Sequence, residues 1–546
     1  MMISRLKRLR VILAVIFFIP ILFIFLDFRK TIPDNAFSIV TFLQFLPSFL
    51  KFISVLSFSA IGFFIVIVFT VLFGRVYCST ICPLGIFQDI ITRIANRFKK
   101  KKQRFFKYRK PLNLLRYSIL SLCILFFVFG SVLLINWLDP YSIFGRFSTY
   151  FFKPLLVWGN NFMAHIFESI NVYFFYNISQ KPLQAGVYIV PVILFITVIG
   201  LSAKNGRIFC NSVCPVGSIL GLISKLSLFK ISIDSETCTS CGLCERVCKA
   251  QCMDFKEFYV DETRCIGCYN CLTICKSNSA KYNFALPKFK QGNAKINTLD
   301  KAHDEKRRKV ITGTFTYFLA LAGLSIKNVR AASPKNNIDT LKNDTSDIII
   351  TRHLGTVPVD DRGIITPPGS FNIHHFTSKC TACSLCVSAC PTGVLQPSFL
   401  EYGFLGIMQP HMDFTSGFCN YDCIKCTEVC PTGAILPQAL EPKKRIQLGV
   451  AKFVIENCIV NTKGKDCGAC SEHCPTKACH MVPYKGTVVI PEVTENLCIG
   501  CGACEHVCPA EPYLAIYIEA NAEHKEAQKP KEEKLEENLF EDEFPF

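Results

Sequence analysis

Apolar residues in the first two fifths of this chain come in long blocks. Leu9–Phe28, Val55–Phe73, Leu114–Ile135 and Gly186–Leu201 are almost free of charge. Helices of this length and character suit a hydrocarbon layer about 30 Å thick. The pattern predicts a membrane domain over residues 1–226 with four helices, at about 9–28, 55–73, 114–135 and 186–201. Ala36–Ile53 is apolar too, but Pro47 and Lys51 interrupt it, so an interfacial or re-entrant segment is expected there. Beyond residue 226 the apolar runs shorten, and only Val310–Ile326 resembles the earlier blocks.

Charge gives the blocks a direction. Arg5, Lys7, Arg8 and Arg10 stand at the start of the first block, and a basic run from Arg97 to Lys110 separates the second and third. The loop 136–185 is poor in Lys and Arg by comparison. Cytoplasmic loops carry the positive excess, so the N-terminus, residues 74–113 and the chain after 202 are expected in the cytoplasm. A signal peptide would explain residues 1–28 equally, but no small-residue cleavage site follows, which favours a retained helix.

A basic, polar linker is expected over 286–306. Residues 307–333 then combine Arg307-Arg308, the apolar run and Val329-Arg330-Ala331-Ala332. The combination resembles a twin-arginine export signal, although the usual serine before the pair and phenylalanine after it are missing. A basic-flanked fifth membrane helix is the alternative. Residues 520–546, rich in Glu and Lys, read as a solvated disordered tail.

Composition changes this picture in one respect. Half of the 546 residues are hydrophobic and 19% are charged, as expected of a membrane protein. The formal charge of +18 lies mainly beside apolar segments, so topology rather than nucleic acid accounts for it. The 31 cysteines are the anomaly: 24 of them form six groups of four, all after residue 230.

Cys238, Cys241, Cys244 and Cys248 are spaced C-x2-C-x2-C-x3-C, as are Cys265, Cys268, Cys271 and Cys275. Cys380, Cys383, Cys386 and Cys390, then Cys498, Cys501, Cys504 and Cys508, repeat the spacing and end in proline. Two groups are loosened between their first two members: Cys419, Cys423, Cys426 and Cys430, and Cys458, Cys467, Cys470 and Cys474. This is the bacterial ferredoxin run, in which three thiolates hold one 4Fe–4S cluster and the fourth ligates its partner. Cys248 is therefore expected at the second cluster and Cys275 at the first. For the last four groups the spacing allows neighbouring or nested pairing. Structural zinc more often uses two separated C-x2-4-C pairs. The fold class read from all this is multidomain. A four-helix transmembrane domain is followed by α+β bacterial-type 4Fe–4S ferredoxin domains, with two clusters at 227–285 and four at 334–519. Lys249 and Lys276 stand where proline follows the other runs. A cation there favours the reduced cluster, unless both are solvated surface lysines.

A second repeat sits behind two of the apolar blocks. Gly74-Arg75-Val76-Tyr77-Cys78-Ser79-Thr80-Ile81-Cys82-Pro83 is echoed by Gly206-Arg207-Ile208-Phe209-Cys210-Asn211-Ser212-Val213-Cys214-Pro215. If the copies meet, Cys78, Cys82, Cys210 and Cys214 offer four thiolates to one extra redox or metal site; otherwise they are free or redox-switching thiols. Cys123, Cys252 and Cys479 belong to no group, and a buried apolar role is expected for each.

With its two C-x3-C-P motifs followed by two ferredoxin runs, the first half resembles NapH-type membrane ferredoxins of periplasmic nitrate reductase systems; NosR-type proteins share the membrane motif. From the twin arginine onward, with Thr366-Pro367-Pro368-Gly369 before the first run, the chain resembles NapG-type subunits, as if the two were fused. The resemblance implies electron transfer from the quinone pool to a periplasmic reductase or cytochrome. It also implies a multi-pass protein of the bacterial inner membrane whose C-terminal cluster domain is periplasmic. A cluster-loaded domain must be completed in the reducing cytoplasm before export, as a twin-arginine route permits.

No C-x-x-C-H haem attachment is present. His165, His374, His375, His473 and His506 are expected as ordinary surface or packing residues. Asp139, in Trp137-Leu138-Asp139-Pro140-Tyr141, is a candidate proton acceptor at a quinol site; an interfacial aromatic anchor explains the same residues. No independent substrate site is visible, which disfavours a catalytic reductase. The alternative of another class is an assembly or regulatory factor for a metal-containing oxidase or reductase.

Overall fold

The computed structural model describes residues 2–27, 29, 31–55, 61–100, 104–178, 185–284, 356–358 and 362–529. The expected linker and twin-arginine element fall outside these residues.

The N-terminal half is helical. Its elements are α1 (Met2–Leu26), α2 (Asp34–Thr41), α3 (Phe45–Val55), α4 (Gly62–Phe73), the single turn α5 (Tyr77–Thr80) and α6 (Pro83–Phe98). Then come α7 (Asn113–Val128), α8 (Leu133–Leu138), α9 (Pro140–Phe147), α10 (Lys153–Glu168), α11 (Ile189–Asn205), the short α12 (Ile208–Ser212) and α13 (Pro215–Ile223). α1 buries Ile21, Ile24 and Phe25 but leaves Leu9, Ile12, Ile16, Ile19 and Phe23 exposed. Their spacing makes an outward apolar stripe of the kind that lipid covers.

Among the described residues, two helices are long and apolar enough to cross a membrane, Arg5–Leu26 and Gly186–Asn205. Four such helices are not found among the described residues; a bent pair, α2 with α3, would make a third span. α4 has 12 residues and α7 has 16, and residues 56–60 of the expected second span lie outside the description. The third block breaks at Gly130, whose φ of +78° turns the chain between α7 and α8. Hydropathy does not register a backbone break inside an apolar run. α2 and α3 meet at 114°, a bend that a broken span or a re-entrant loop would show.

The duplicated motif is a helix stop followed by a helix start. Gly74 and Gly206 end α4 and α11 with φ of +76° and +63°, which a side chain would oppose. One turn carries the first cysteine. The second, Cys82 or Cys214, is an extended N-cap with proline at the first helical position of α6 or α13.

Small antiparallel ribbons frame the cysteine runs. In the first module β1 (Phe229–Ile233) pairs with β4 (Ala280–Phe284), and β2 (Met253–Asp254) with β3 (Tyr259–Val260). The second has β5 (Leu395–Pro397) against β6 (Pro410–Met412). The third repeats the outer-and-inner arrangement. β7 (Ile446–Phe453) lies against β10 (Ile516–Glu526), and β8 (Cys479–Pro483) against β9 (Val489–Val493). The tail expected from residue 520 is therefore corrected at its start, because β10 runs through Glu526 and Gln528 still donates to the Asn496 carbonyl. Charged residues conceal this strand because it is a ribbon edge, paired on one side.

The modules pack at opposite ends of α1. Lys7 Nζ donates to Thr273 Oγ1 of the first module over 3.4 Å. Ser388 Oγ of the second donates to the Phe25 carbonyl over 2.7 Å. Eighteen residues separate Lys7 from Phe25, about 27 Å of helix at about 1.5 Å per residue.

Candidate iron–sulfur centres

Each ferredoxin run ends in a short helix that carries its fourth cysteine away. In the first module Cys275 lies with Cys238 and Cys244, while Cys248 joins Cys265, Cys268 and Cys271. The crossing expected from the spacing is the arrangement found. In the second module Cys430 sits with Cys380, Cys383 and Cys386, and Cys390 with Cys419, Cys423 and Cys426. In the third, Cys474, Cys498, Cys501 and Cys504 line one pocket. Cys458, Cys467, Cys470 and Cys508 line another. Adjacent runs are thus paired, and the nested order is excluded.

These sets fit cluster chemistry. Backbone amides point at the sulfurs: Ala280 N to Cys275 at 3.5 Å, Ile435 N to Cys430 at 3.4 Å, and Cys479 N to Cys474 at 3.4 Å. Such donors favour thiolate over thiol. Burial pushes the Cys383 and Cys501 thiols up to about 12, and neighbouring cysteines add to the effect. Crowded, desolvated thiolates need positive charge in their midst. A single ion gathers its ligands into one coordination sphere, whereas the corners of an iron–sulfur cube hold thiolates apart. Among the described residues no three Cys, His, Asp or Glu side chains converge in the first way.

The membrane motifs do meet. Cys78, Cys82, Cys210 and Cys214 are all buried, and their charges act on one another. Two arginines cross between the copies. Arg75 Nη2 donates to the Cys210 carbonyl at 3.1 Å, and Arg207 Nη1 to the Cys78 carbonyl at 2.8 Å. Arg75 Nη2 also lies 3.8 Å from Cys78 Sγ, and Arg207 Nη1 lies 4.0 Å from Cys210 Sγ. Gly85 and Gly217 complete the pseudo-symmetry: a Cβ there would stand 2.3 Å from the Cys78 carbonyl oxygen and 2.2 Å from that of Cys210. Arg75 reaches onward to the Thr263 carbonyl, at 2.7 Å, beside the run that starts at Cys265. On the other side, Tyr77 and Asp139 lie between these thiols and the Cys383 set.

Three residues carry more than their spacing suggested. Cys252 is buried as expected, but its sulfur lies 3.6 Å from Cys248 Sγ and pulls that thiol down to about 7, against the effect of burial. Cys479, also buried, lines the Cys474 cavity and hydrogen-bonds to Cys470. Their positions, four and five residues after a terminal cysteine, were the available signal. Lys249 is not a solvated lysine: its Nζ lies 3.3 Å from Asp89, which also pairs with Arg207 and Arg10. Cys123 is buried on α7, apart from the cysteine sets. His473 and His506 bond to backbone carbonyls, as packing residues do.

Comparison with known proteins agrees with the cluster chemistry. Residues 57–102 and 188–234, the two motif copies, each match a family described as a 4Fe-4S binding domain. Residues 379–435 and 463–512 match families described as 4Fe-4S dicluster domains, in line with adjacent pairing. The methylamine utilization ferredoxin-type protein MauM of Methylophilus methylotrophus is 33% identical over 172 residues, 28% of this chain and 70% of that protein. The ferredoxin-type protein NapG of Escherichia coli K12 is 32% identical over 159 residues, 27% and 67% of the respective chains. The ferredoxin-type protein NapF of the same strain is 27% identical over 159 residues, 29% and 87%. No solved structure matches.

Proposed function

The chain belongs to the NapG and MauM family of ferredoxin-type proteins, and we propose that it is a membrane-bound wire passing electrons from the quinol pool to a periplasmic reductase, such as nitrate reductase. The observation that carries this reading is the attachment of two ferredoxin modules to opposite ends of α1, about 27 Å apart. The motif cysteines lie between them. The separation matches the thickness of a bilayer's apolar core, and the basic residues argue for the first module on the cytoplasmic side.

In this reading the 24 cysteines of the six paired sets hold six 4Fe–4S clusters, and Cys78, Cys82, Cys210 and Cys214 form a further redox site. When bound, each cluster supplies a one-electron carrier. The chain's own residues hold the sites in sequence. Lys249 stands between Cys268 and Asp89 of the motif. Tyr141 neighbours Cys383 and Cys430. The Cys419 amide donates to the Cys501 carbonyl at 2.9 Å, linking the second module to the third. The resulting order has the Cys238 set at one end and the Cys458 set at the other. Asp139 lies beside the middle of the wire, which suits a proton acceptor for quinol oxidation.

The test is anaerobic reconstitution into vesicles with a membrane-impermeant acceptor dye trapped inside. Adding a short-chain quinol is expected to reduce the trapped dye. Dithionite-reducible clusters that no quinol reduces would remove the quinol role. Purified protein holding zinc, or lacking inorganic sulfide, would remove the clusters themselves.

A further inference from the structure

Arg146 is a fully buried guanidinium whose Nε and Nη2 meet no protein acceptor. It lies in the last turn of α9, flanked by the fully buried Phe144 and Phe147. Among the described residues no carboxylate comes within ion-pair distance of it. Asp139, the nearest candidate along the helix, is seven residues away, about 10 Å along the axis. One oxygen of Asp139 is already taken by the amide and hydroxyl of Ser142, at 2.8 and 2.7 Å. A buried arginine left in this state is strongly disfavoured unless negative charge sits beside it.

The Asp139 carboxylate acts on Arg146 from a distance without pairing with it, and the cysteine run adds charge on the other side. Cys380 and Cys383 lie within charge range of Arg146. The helix is held against that run by close contacts. A Cβ on Gly145 would stand 2.4 Å from the Cys383 carbonyl oxygen. Tyr150 OH lies 3.1 Å from Ser384 Oγ, and Lys153 Nζ donates to the Ser388 carbonyl at 2.6 Å. α9 and the segment after it thus dock the first run of the second module, with a permanently charged fork at the contact.

We propose that Arg146 is the buried counter-charge of the centre held by Cys380, Cys383, Cys386 and Cys430, raising the reduction potential of that centre at the point where the helical half hands over to the C-terminal modules. Resting on the cluster assignment above, the inference adds a residue that no cysteine spacing marks. A cube held by four thiolates is anionic, and one-electron reduction makes it more so. A fixed cation at its edge therefore favours the reduced form, while the guanidinium stays protonated in both states.

The experiment is an EPR-monitored redox titration of the full-length protein, purified anaerobically in detergent, for wild type, Arg146→Gln and Arg146→Lys. Cys383→Ser identifies the signal of the centre concerned. In Arg146→Gln that one midpoint is expected to move to a more negative potential with the others unmoved, and Arg146→Lys is expected to recover part of the shift. Wild-type iron and sulfide content with every midpoint unchanged in the variants would overturn the inference. Should Arg146→Gln not fold, Arg146→Met, uncharged and of similar length, takes its place, and an unmoved midpoint in that variant counts against the proposal. Absence of iron and sulfide from the wild-type protein would instead remove the cluster assignment.

Discussion

Arg75, in the first copy of the membrane motif, donates to the carbonyl of Cys210 in the second at 3.1 Å. The contact is repeated in reverse by Arg207 and Cys78. It holds together two segments 135 residues apart, each bearing two buried thiols, and it is made by charged groups buried to about 1% exposure.

Replacing Arg75 with Met removes the donor from the Cys210 and Thr263 carbonyls and from Asn211 Oδ1 together. Hydrogen bonds from a charged group contribute about 1.5–3 kcal/mol each, and the acceptors left behind stay buried. Thermal unfolding in detergent is expected to show a loss of at least about 3 kcal/mol. Arg207→Met is expected to behave alike, because the two copies are equivalent.

Gly217→Ala tests the close approach. Its Cβ would meet the Cys210 carbonyl oxygen at 2.2 Å and Arg75 Nη2 at 2.8 Å, so backbone must move. Overpacking of this kind costs about 1–3 kcal/mol or more. The same substitution at Gly159, where a Cβ meets nothing, is expected to leave the melting temperature unchanged or slightly higher.

Adjacent pairing has a spectroscopic consequence. Cys430→Ala is expected to perturb the same cluster signal as Cys380→Ala, and Cys390→Ala the same signal as Cys419→Ala. Mössbauer or EPR spectra linking Cys430 to the Cys419 centre instead would refute the assignment.

Cys252 touches a ligand without being needed as one, since Cys248, Cys265, Cys268 and Cys271 already make four. Cys252→Ala is expected to keep the full iron and sulfide content and to lose about 1 kcal/mol of stability, the usual scale of one hydrogen bond. A loss of four irons per chain would make Cys252 a ligand.

Stability should also fall with acid through His524. Burial holds its imidazole down at about 4, against about 6.5 in an unfolded chain. Its Nε2 lies 3.0 Å from Thr366 Oγ1, and Nδ1 has no partner. The unfolded chain binds the proton that the folded one refuses. The contribution is therefore complete above pH ~6.5 and lost as pH drops towards ~4, on the order of 3 kcal/mol at most. His524→Gln is expected to flatten that part of the pH–stability curve relative to wild type.

Local spacing by itself determined the chemistry of this protein. Three cysteines at successive three-residue steps already wrap a cluster corner by corner, and Gly-Arg before Cys-x3-Cys-Pro already stops one helix and starts another. Such motifs are legible because their geometry closes within a dozen residues. Tertiary structure decided which run takes Cys390 and which Cys430, that the two C-x3-C-P copies face each other, and that Arg146 and Cys252 border cysteine sets. It also decided that Gly130 cuts an apolar run and that a charged segment ends as β10. Each of these depends on contacts between residues far apart in the chain, and spacing along a sequence carries no information about which distant backbone will arrive to meet it.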